Sequence, residues 1–241
     1  MTWGVTENLS WPLFAQLSVM LQLNAIASCY TSRSISPLGQ ALTAEKKIED
    51  EIYTHGFCIM DNFLPDFHYQ SLRKTMQTMY LDGSFKSAKI GQNTDANHVP
   101  SIRNDQIYWL DEHMPNTAIK AYFTEMDNIR ITLNQSLFLG LNTIEAHFAV
   151  YKPGSFYKKH VDQFATTLDR RISCVYYLND NWQPEHGGEL ALFNQVDQPH
   201  INVEPYGNRL ICFNSNLPHE VSTTYHMRYS IAGWLKVREM G

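Results

Sequence analysis

His160-Val161-Asp162 sets an imidazole and a carboxylate two positions apart. In an extended strand residues i and i+2 point to one face, so this pair is placed to meet a single metal ion. Two histidines and one carboxylate make a mixed nitrogen and oxygen donor set that suits Fe(II) and leaves three coordination positions open. The second histidine must come from elsewhere. His219, in Asn216-Leu217-Pro218-His219-Glu220, is the candidate. Arg228 follows nine residues later and opens an alternating segment that runs to Trp234. Arg228, Ser230, Ala232 and Trp234 share one face of that segment. A guanidinium there suits a two-pronged hydrogen bond to a carboxylate. The same residues also fit plainer readings, a solvated strand end at Lys158-Lys159-His160-Val161-Asp162 or a cupin-type metal site.

Sulfur contributes little to such a site. Cys29, Cys58, Cys174 and Cys212 are far apart in sequence and form no C-x-x-C pair. That argues against a zinc finger and against a disulfide framework, and reduced thiols in a cytoplasmic protein are the expectation. The ten histidines and the carboxylates must then supply any metal ligands. The 24 acids against 19 bases give a net charge of -5, a poor electrostatic footprint for nucleic-acid binding. No apolar run approaches the length of a membrane span. At 241 residues and 44% hydrophobic composition, the chain has length for one domain with an appendage and a core that needs no disulfide.

The elements that must position these residues fall into two halves. Residues 1–42 read as an N-terminal helical extension and linker, with Ser10 as N-cap before Trp11-Pro12. Ile26-Ala27-Ser28-Cys29 has a lipobox-like look, but no Lys or Arg precedes it and Gln16, Gln22 and Asn24 interrupt the apolar run, which disfavours export. Residues 43–241 read as the functional domain. Helices are expected over Thr43 to His55, stopped by Gly56; over Pro65 to Leu81, with Phe67, Leu72, Met76, Met79 and Tyr80 on one side; and over Pro115 to Phe138, where Ile119, Tyr122, Phe123, Met126, Ile129, Leu133 and Leu137 follow helical spacing. After Asn142, short segments rich in Val, Ile, Tyr and Phe alternate with turn signals such as Lys152-Pro153-Gly154 and His186-Gly187-Gly188. That texture predicts an antiparallel barrel or jelly roll behind a helical layer, an α+β fold.

Longer blocks narrow the reading. Tyr151-Lys152-Pro153-Gly154, Tyr157-x-x-His160-Val161-Asp162, Cys174-Val175-Tyr176-Tyr177-Leu178-Asn179, Gly187-Gly188-Glu189-Leu190, Pro218-His219-Glu220-Val221 and Arg228-Tyr229-x-Ile231 occur in one order. Upstream stand His55-Gly56-Phe57-Cys58-Ile59-Met60-Asp61-Asn62-Phe63-Leu64 and Ile102-Arg103-Asn104-Asp105-Gln106-Ile107-Tyr108-Trp109. Together, from about Glu51 to Val237, they resemble the 2-oxoglutarate/Fe(II) oxygenases, and within these the prolyl 4-hydroxylases of the hypoxia-inducible-factor type and their bacterial relatives. The resemblance implies a double-stranded β-helix (jelly-roll) core with supporting N-terminal helices. It implies Fe(II) on His160, Asp162 and His219. The far carboxylate of 2-oxoglutarate would sit on Arg228 and Tyr177, with Tyr151 beside it. Tyr157 and Trp234 would line the hydroxylation pocket, with Arg170, Arg103 and Asp105 near the peptide. Lys86 to Asn104 corresponds to a loop that closes over substrate.

The implied reaction is hydroxylation of a prolyl residue, at its 4-position, in a partner protein. It consumes O2 and 2-oxoglutarate, releases succinate and carbon dioxide, and is supported by ascorbate. The resemblance also brings oxygen sensing into view, and bacterial relatives point to a translation factor as the first partner to test. No nucleic-acid or membrane partner is expected, and a cytoplasmic monomer is. Three departures bear on this. The MYND-type zinc-finger cysteines are absent, Gln163 to Arg171 differs in composition from the animal sequences, and the N-terminal extension is not covered. His147, four residues before Tyr151, could face the site, but the favoured reading is a packed or solvated strand histidine because the ligand set is already complete. The rivals are a nucleic-acid demethylase, which would want an arginine where Trp234 stands; a small-molecule oxygenase; and a non-catalytic 2-oxoglutarate-binding protein.

Overall fold

The computed structural model describes residues 47–89, 99–163, 167–194, 196 and 198–238. The expected N-terminal helix and linker, the start of the Thr43 helix, residues 90–98 of the Lys86–Asn104 loop and residues 164–166 lie outside the described residues.

Helix α1 (Ile48–His55) stops where Gly56 takes a left-handed conformation, φ 78°, the region glycine enters without a steric penalty. Strand β1 (Phe57–Met60) follows at once. Helix α2 (Asp66–Leu81) buries Tyr69, Leu72 and Met76. Phe67, expected on the inner face, is 68% exposed. Tyr69 takes the inward place because its hydroxyl donates to the Asn179 carbonyl, a bond across distant sequence that helical spacing alone does not foresee. Short strands β2 (Lys86–Ser87) and β3 (Gln106–Trp109) precede α3 (Thr117–Leu137). That helix starts two residues later than the expected Pro115, because the Asn116 side chain accepts from the backbone of Ala118 and Ile119 at 3.0 Å each, a strong N-cap. Its buried stripe of Ile119, Tyr122, Phe123, Met126, Ile129 and Leu133 is the one the spacing predicts.

The strands then run β4 (Leu141–Tyr151), β5 (Tyr157–His160), β6 (Arg170–Tyr177), β7 (Leu190–Phe193), β8 (Pro199–Val203), β9 (Leu210–Asn214), β10 (His219–Val221) and β11 (Arg228–Val237). They form a seven-stranded sheet in the order β1-β9-β6-β11-β4-β3-β2 and a four-stranded sheet in the order β5-β10-β7-β8. The pairings are antiparallel. The α+β jelly-roll expectation holds.

The central strands of the large sheet are covered on both faces. Ala146, Phe148 and Val150 of β4, Ile172, Cys174 and Tyr176 of β6, and Ile231 and Leu235 of β11 pack in one core with the helices. Alternate residues Ala149, Tyr151, Tyr177, Ile211 and Phe213 pack with Leu190, Leu192 and Val221 of the small sheet. Each fully buried large side chain contributes roughly 1.5–3 kcal/mol, so the two layers together hold the sheet that carries the site. Cysteines distant in sequence meet here. Cys212 is the register partner of both Cys58 and Cys174, and the Cys174 and Cys212 sulfurs lie 3.1 Å apart. Among the described residues no helix is long and apolar enough to cross a membrane.

Candidate active site

His160 ends β5 and is the register partner of His219 in β10. One antiparallel pair therefore brings together two histidines far apart in the chain. Asp162 lies just beyond the end of β5, so strand alternation does not orient it. Its backbone donates to the Ser215 carbonyl at 3.1 Å, and its Oδ2 accepts from the Ser173 hydroxyl at 2.7 Å. One donor atom from each of His160, Asp162 and His219 falls within 4.8 Å of the others.

The imidazole orientations are fixed from behind. His160 Nδ1 bonds the Lys158 carbonyl at 2.8 Å and His219 Nδ1 bonds the Leu217 carbonyl at 2.9 Å. A carbonyl only accepts, so each Nδ1 carries the hydrogen and each Nε2 presents a lone pair. Those Nε2 atoms lie 3.6 Å (His160) and 3.4 Å (His219) from Asp162 oxygens. Burial pushes His219 down to about 4, partly opposed by the neighbouring Asp162 carboxylate. Burial works against charge on Asp162, but His219 and His160 hold its carboxyl well below the usual carboxylate range. Two imidazole Nε2 atoms converging on one carboxylate are the donor chemistry of a divalent, borderline cation such as Fe(II).

A cavity of about 400 Å³ opens in front of these donors. At one end Arg228 is buried to 1% exposure. Its Nε donates to the Gly188 carbonyl at 2.9 Å and its Nη1 to Ser230 Oγ at 3.3 Å, while Nη2 has no partner. The guanidinium stands 5.0 Å from the Tyr151 ring centre and 5.1 Å from that of Tyr177. Burial raises the hydroxyl pKa of both tyrosines, so both stay protonated. The Tyr177 hydroxyl is buried and unpartnered. Among the described residues no carboxylate pairs with Arg228. A buried cation with a free N–H beside a free hydroxyl is costly unless an anion completes it. The far carboxylate of 2-oxoglutarate fits that need.

At the other end stand the residues read as substrate-facing. Arg103 and Asp105 form a two-pronged ion pair at 2.7 and 2.6 Å. Arg103 lines the cavity and lies 4.3 Å above the Tyr157 ring; Asp105, 1% exposed, lies behind it. Arg170 stacks 3.6 Å from the Trp234 ring centre and pairs with Glu145 at 3.0 Å. Lys236 bridges Glu145 and Asp169, which ties that wall to the loop before β6. Tyr157 and Trp234 both line the cavity, and the Tyr157 ring stacks on His160 at 3.5 Å.

Four residues beyond the sequence-derived set take part. Ser173 orients Asp162, and the Gly188 carbonyl and Ser230 hydroxyl orient Arg228. Gly188 sits at φ +71°, where an added Cβ would stand 3.0 Å from Arg228 Cδ. His147 lines the cavity rather than the core or solvent. Its period-two spacing with Ala149 and Tyr151 carried that signal; which face of β4 turns to the site depends on pairings to β3 and β11 that no local pattern reveals.

Comparison with known proteins agrees with this geometry. Residues 146–236 match the model of the 2OG-Fe(II) oxygenase superfamily. A prolyl-4-hydroxylase structure from Pseudomonas putida shares 36% identity at a TM-score of 0.71, over 79% of this chain and 97% of that one. A prolyl hydroxylase from Trichoplax adhaerens, solved with a hypoxia-inducible-factor oxygen degradation domain peptide fragment, shares 29% identity at a TM-score of 0.71, over 78% of this chain and 87% of that one. The hypoxia-inducible factor prolyl hydroxylase of Caenorhabditis elegans is 28% identical over 190 residues, 74% of this chain but only 26% of that protein's length. The cofactor and cosubstrates are accordingly Fe(II), 2-oxoglutarate and O2. From its donors, its orphaned cation and these likenesses alike, the chain belongs to the 2-oxoglutarate/Fe(II) oxygenases, in the prolyl 4-hydroxylase subfamily that includes the hypoxia-inducible-factor hydroxylases.

Proposed function

We propose that this protein hydroxylates a prolyl residue of a partner protein at the 4-position, using O2 and 2-oxoglutarate and releasing succinate and carbon dioxide. One observation carries the reading: the His160, Asp162 and His219 donors share a cavity with the unpartnered Nη2 of Arg228, and the unpartnered Tyr177 hydroxyl stands beside that guanidinium.

His160, Asp162 and His219 are assigned to Fe(II), and Arg228, Tyr177 and Tyr151 to 2-oxoglutarate. When bound, the metal and its cosubstrate supply the oxidising chemistry that turns a C–H bond into C–OH. The chain's own residues do the rest. Ser173 and the carbonyls of Lys158 and Leu217 hold the ligands in pose. Gly188 and Ser230 aim Arg228, so the cosubstrate meets a prearranged cation. Tyr157 and Trp234, with Arg103 and Arg170 stacked on them, give aromatic walls for an apolar proline ring. Asp105 fixes Arg103 from behind.

The finer parts of the reading rest on the family resemblance. They are a cytoplasmic monomer, a translation factor as partner, ascorbate as a support for turnover, a part in oxygen sensing, and a division of the chain into an extension over 1–42 and an oxygenase domain over 43–241. The test is direct. Purified protein with Fe(II), 2-oxoglutarate and ascorbate is incubated with protein extract of its own host, and mass spectrometry maps prolines that gain 16 Da. Enzyme-dependent sites that vanish with His160→Ala support the reading; succinate formation with no modified proline points instead to a small-molecule oxygenase.

A further inference from the structure

His147 is buried to 3% exposure yet lines the active cavity. Its Nδ1 lies 3.1 Å from the Phe148 carbonyl, so Nδ1 carries the hydrogen and Nε2 presents a lone pair. Among the described residues no hydrogen bond reaches Nε2. Burial, with Arg103 and Arg170 nearby, pushes His147 down to about 4, so the ring is neutral at pH 7 and acts as an acceptor. Trp109 and Trp234 flank it at ring-centre distances of 5.0 and 5.5 Å. Its partner across to β11 is Ala232, whose methyl group leaves the space open.

The chemistry of the neighbours selects what can complete this atom. 2-Oxoglutarate brings only acceptor oxygens and is drawn to Arg228, the register partner of Tyr151, four residues along β4 from His147. The missing partner must bring a hydrogen. Two indoles around the acceptor favour a peptide segment over a wholly polar molecule. The target proline has no N–H of its own once in a chain, so the donor belongs to a neighbouring residue. We infer that His147 is a specificity-determining residue whose Nε2 accepts a hydrogen bond from a backbone N–H next to the target proline. This rests on the prolyl-hydroxylation reading above and deepens it.

The test uses the full chain and an arrayed set of synthetic peptides, each holding one proline, with succinate release as the signal. His147→Phe keeps an aromatic ring and removes the acceptor; His147→Gln keeps an acceptor. For accepted peptides, His147→Phe should raise KM about tenfold with kcat changed less than about twofold, and His147→Gln should stay within about threefold of wild type. The Kd for 2-oxoglutarate, measured without peptide, should be unchanged in both. In 15N-histidine spectra of the wild type, the His147 Nε2 resonance should move on adding an accepted peptide and not on adding 2-oxoglutarate; this holds even if a variant folds poorly. Unchanged KM in a folded His147→Phe, an equal loss of 2-oxoglutarate affinity, or a stationary resonance would overturn the inference while leaving prolyl hydroxylation intact. A wild type that consumes 2-oxoglutarate but accepts no peptide would overturn both.

Discussion

His160 and His219 face each other across one antiparallel pair, ring centres 4.2 Å apart, and each turns Nδ1 back onto the carbonyl two residues earlier in its own segment. The two imidazoles are thus aimed by the same local device, and neither is free to rotate away from a metal. That pre-orientation separates a binding site from a chance cluster.

Substituting the donors should abolish function without unfolding the protein. His160→Ala and Asp162→Ala are expected to lose 2-oxoglutarate turnover and at least about 100-fold in Fe(II) affinity, while Ser173→Ala, which only releases Asp162, loses about tenfold. Metal titration under anaerobic calorimetry, with succinate release alongside, checks both sizes.

Arg228 should show a stability signature as well as a binding one. Saturating 2-oxoglutarate, at about 100 times its Kd, should stabilise the metal-loaded protein by about 2.7 kcal/mol and raise Tm by about 5–10 °C. Arg228→Met should remove that shift and weaken 2-oxoglutarate binding about 100-fold or more. Without cosubstrate the variant should melt no lower than wild type, because it deletes a buried cation that no carboxylate partners among the described residues. Thermal melts with and without 2-oxoglutarate decide this.

Gly188→Ala probes the support behind that cation. A left-handed φ of +71° and a Cβ 3.0 Å from Arg228 Cδ and 3.1 Å from Thr224 leave no room for the methyl group. The expected cost is about 1–2 kcal/mol of stability and about a tenfold rise in KM for 2-oxoglutarate. A rise in that KM larger than any fall in kcat, read from steady-state succinate kinetics, would place the defect at the Arg228 end.

Acid should loosen the fold through His147. Its folded pKa of about 4 lies below the ordinary 6.5, so between those values the unfolded chain binds the extra proton. Stability is therefore full above pH 6.5 and falls as pH drops toward 4, by about 3 kcal/mol from this residue alone. His147→Phe should flatten the slope of unfolding free energy over that window, measured by urea denaturation at stepped pH.

The donors of the site were legible because the chemistry restricts residue type. Few side chains ligate Fe(II), and His160, Asp162 and His219 carry the right atoms in a recognisable order. The alternation that opens at Arg228 likewise announced β11. What stayed hidden was relational. Asp162 owes its pose to Ser173, and Arg228 to a carbonyl forty positions away. Phe67 and Tyr69 exchanged roles because one hydroxyl found the Asn179 carbonyl. His147 was visible as a residue, but only the pairing of β4 with β3 and β11 turns it to the cavity.

The metal-ligand histidines and the Arg228 end of the cavity belong to different leaves of the sandwich. His160 and His219 ride on the four-stranded sheet, Arg228 and Tyr177 on the seven-stranded one. A dicarboxylate gripped at both ends is then a strut between the leaves, and the gap between them acts as a caliper. A diacid one carbon shorter or longer would then reach one jaw and miss the other, so the gap between the sheets would discriminate among dicarboxylates by length.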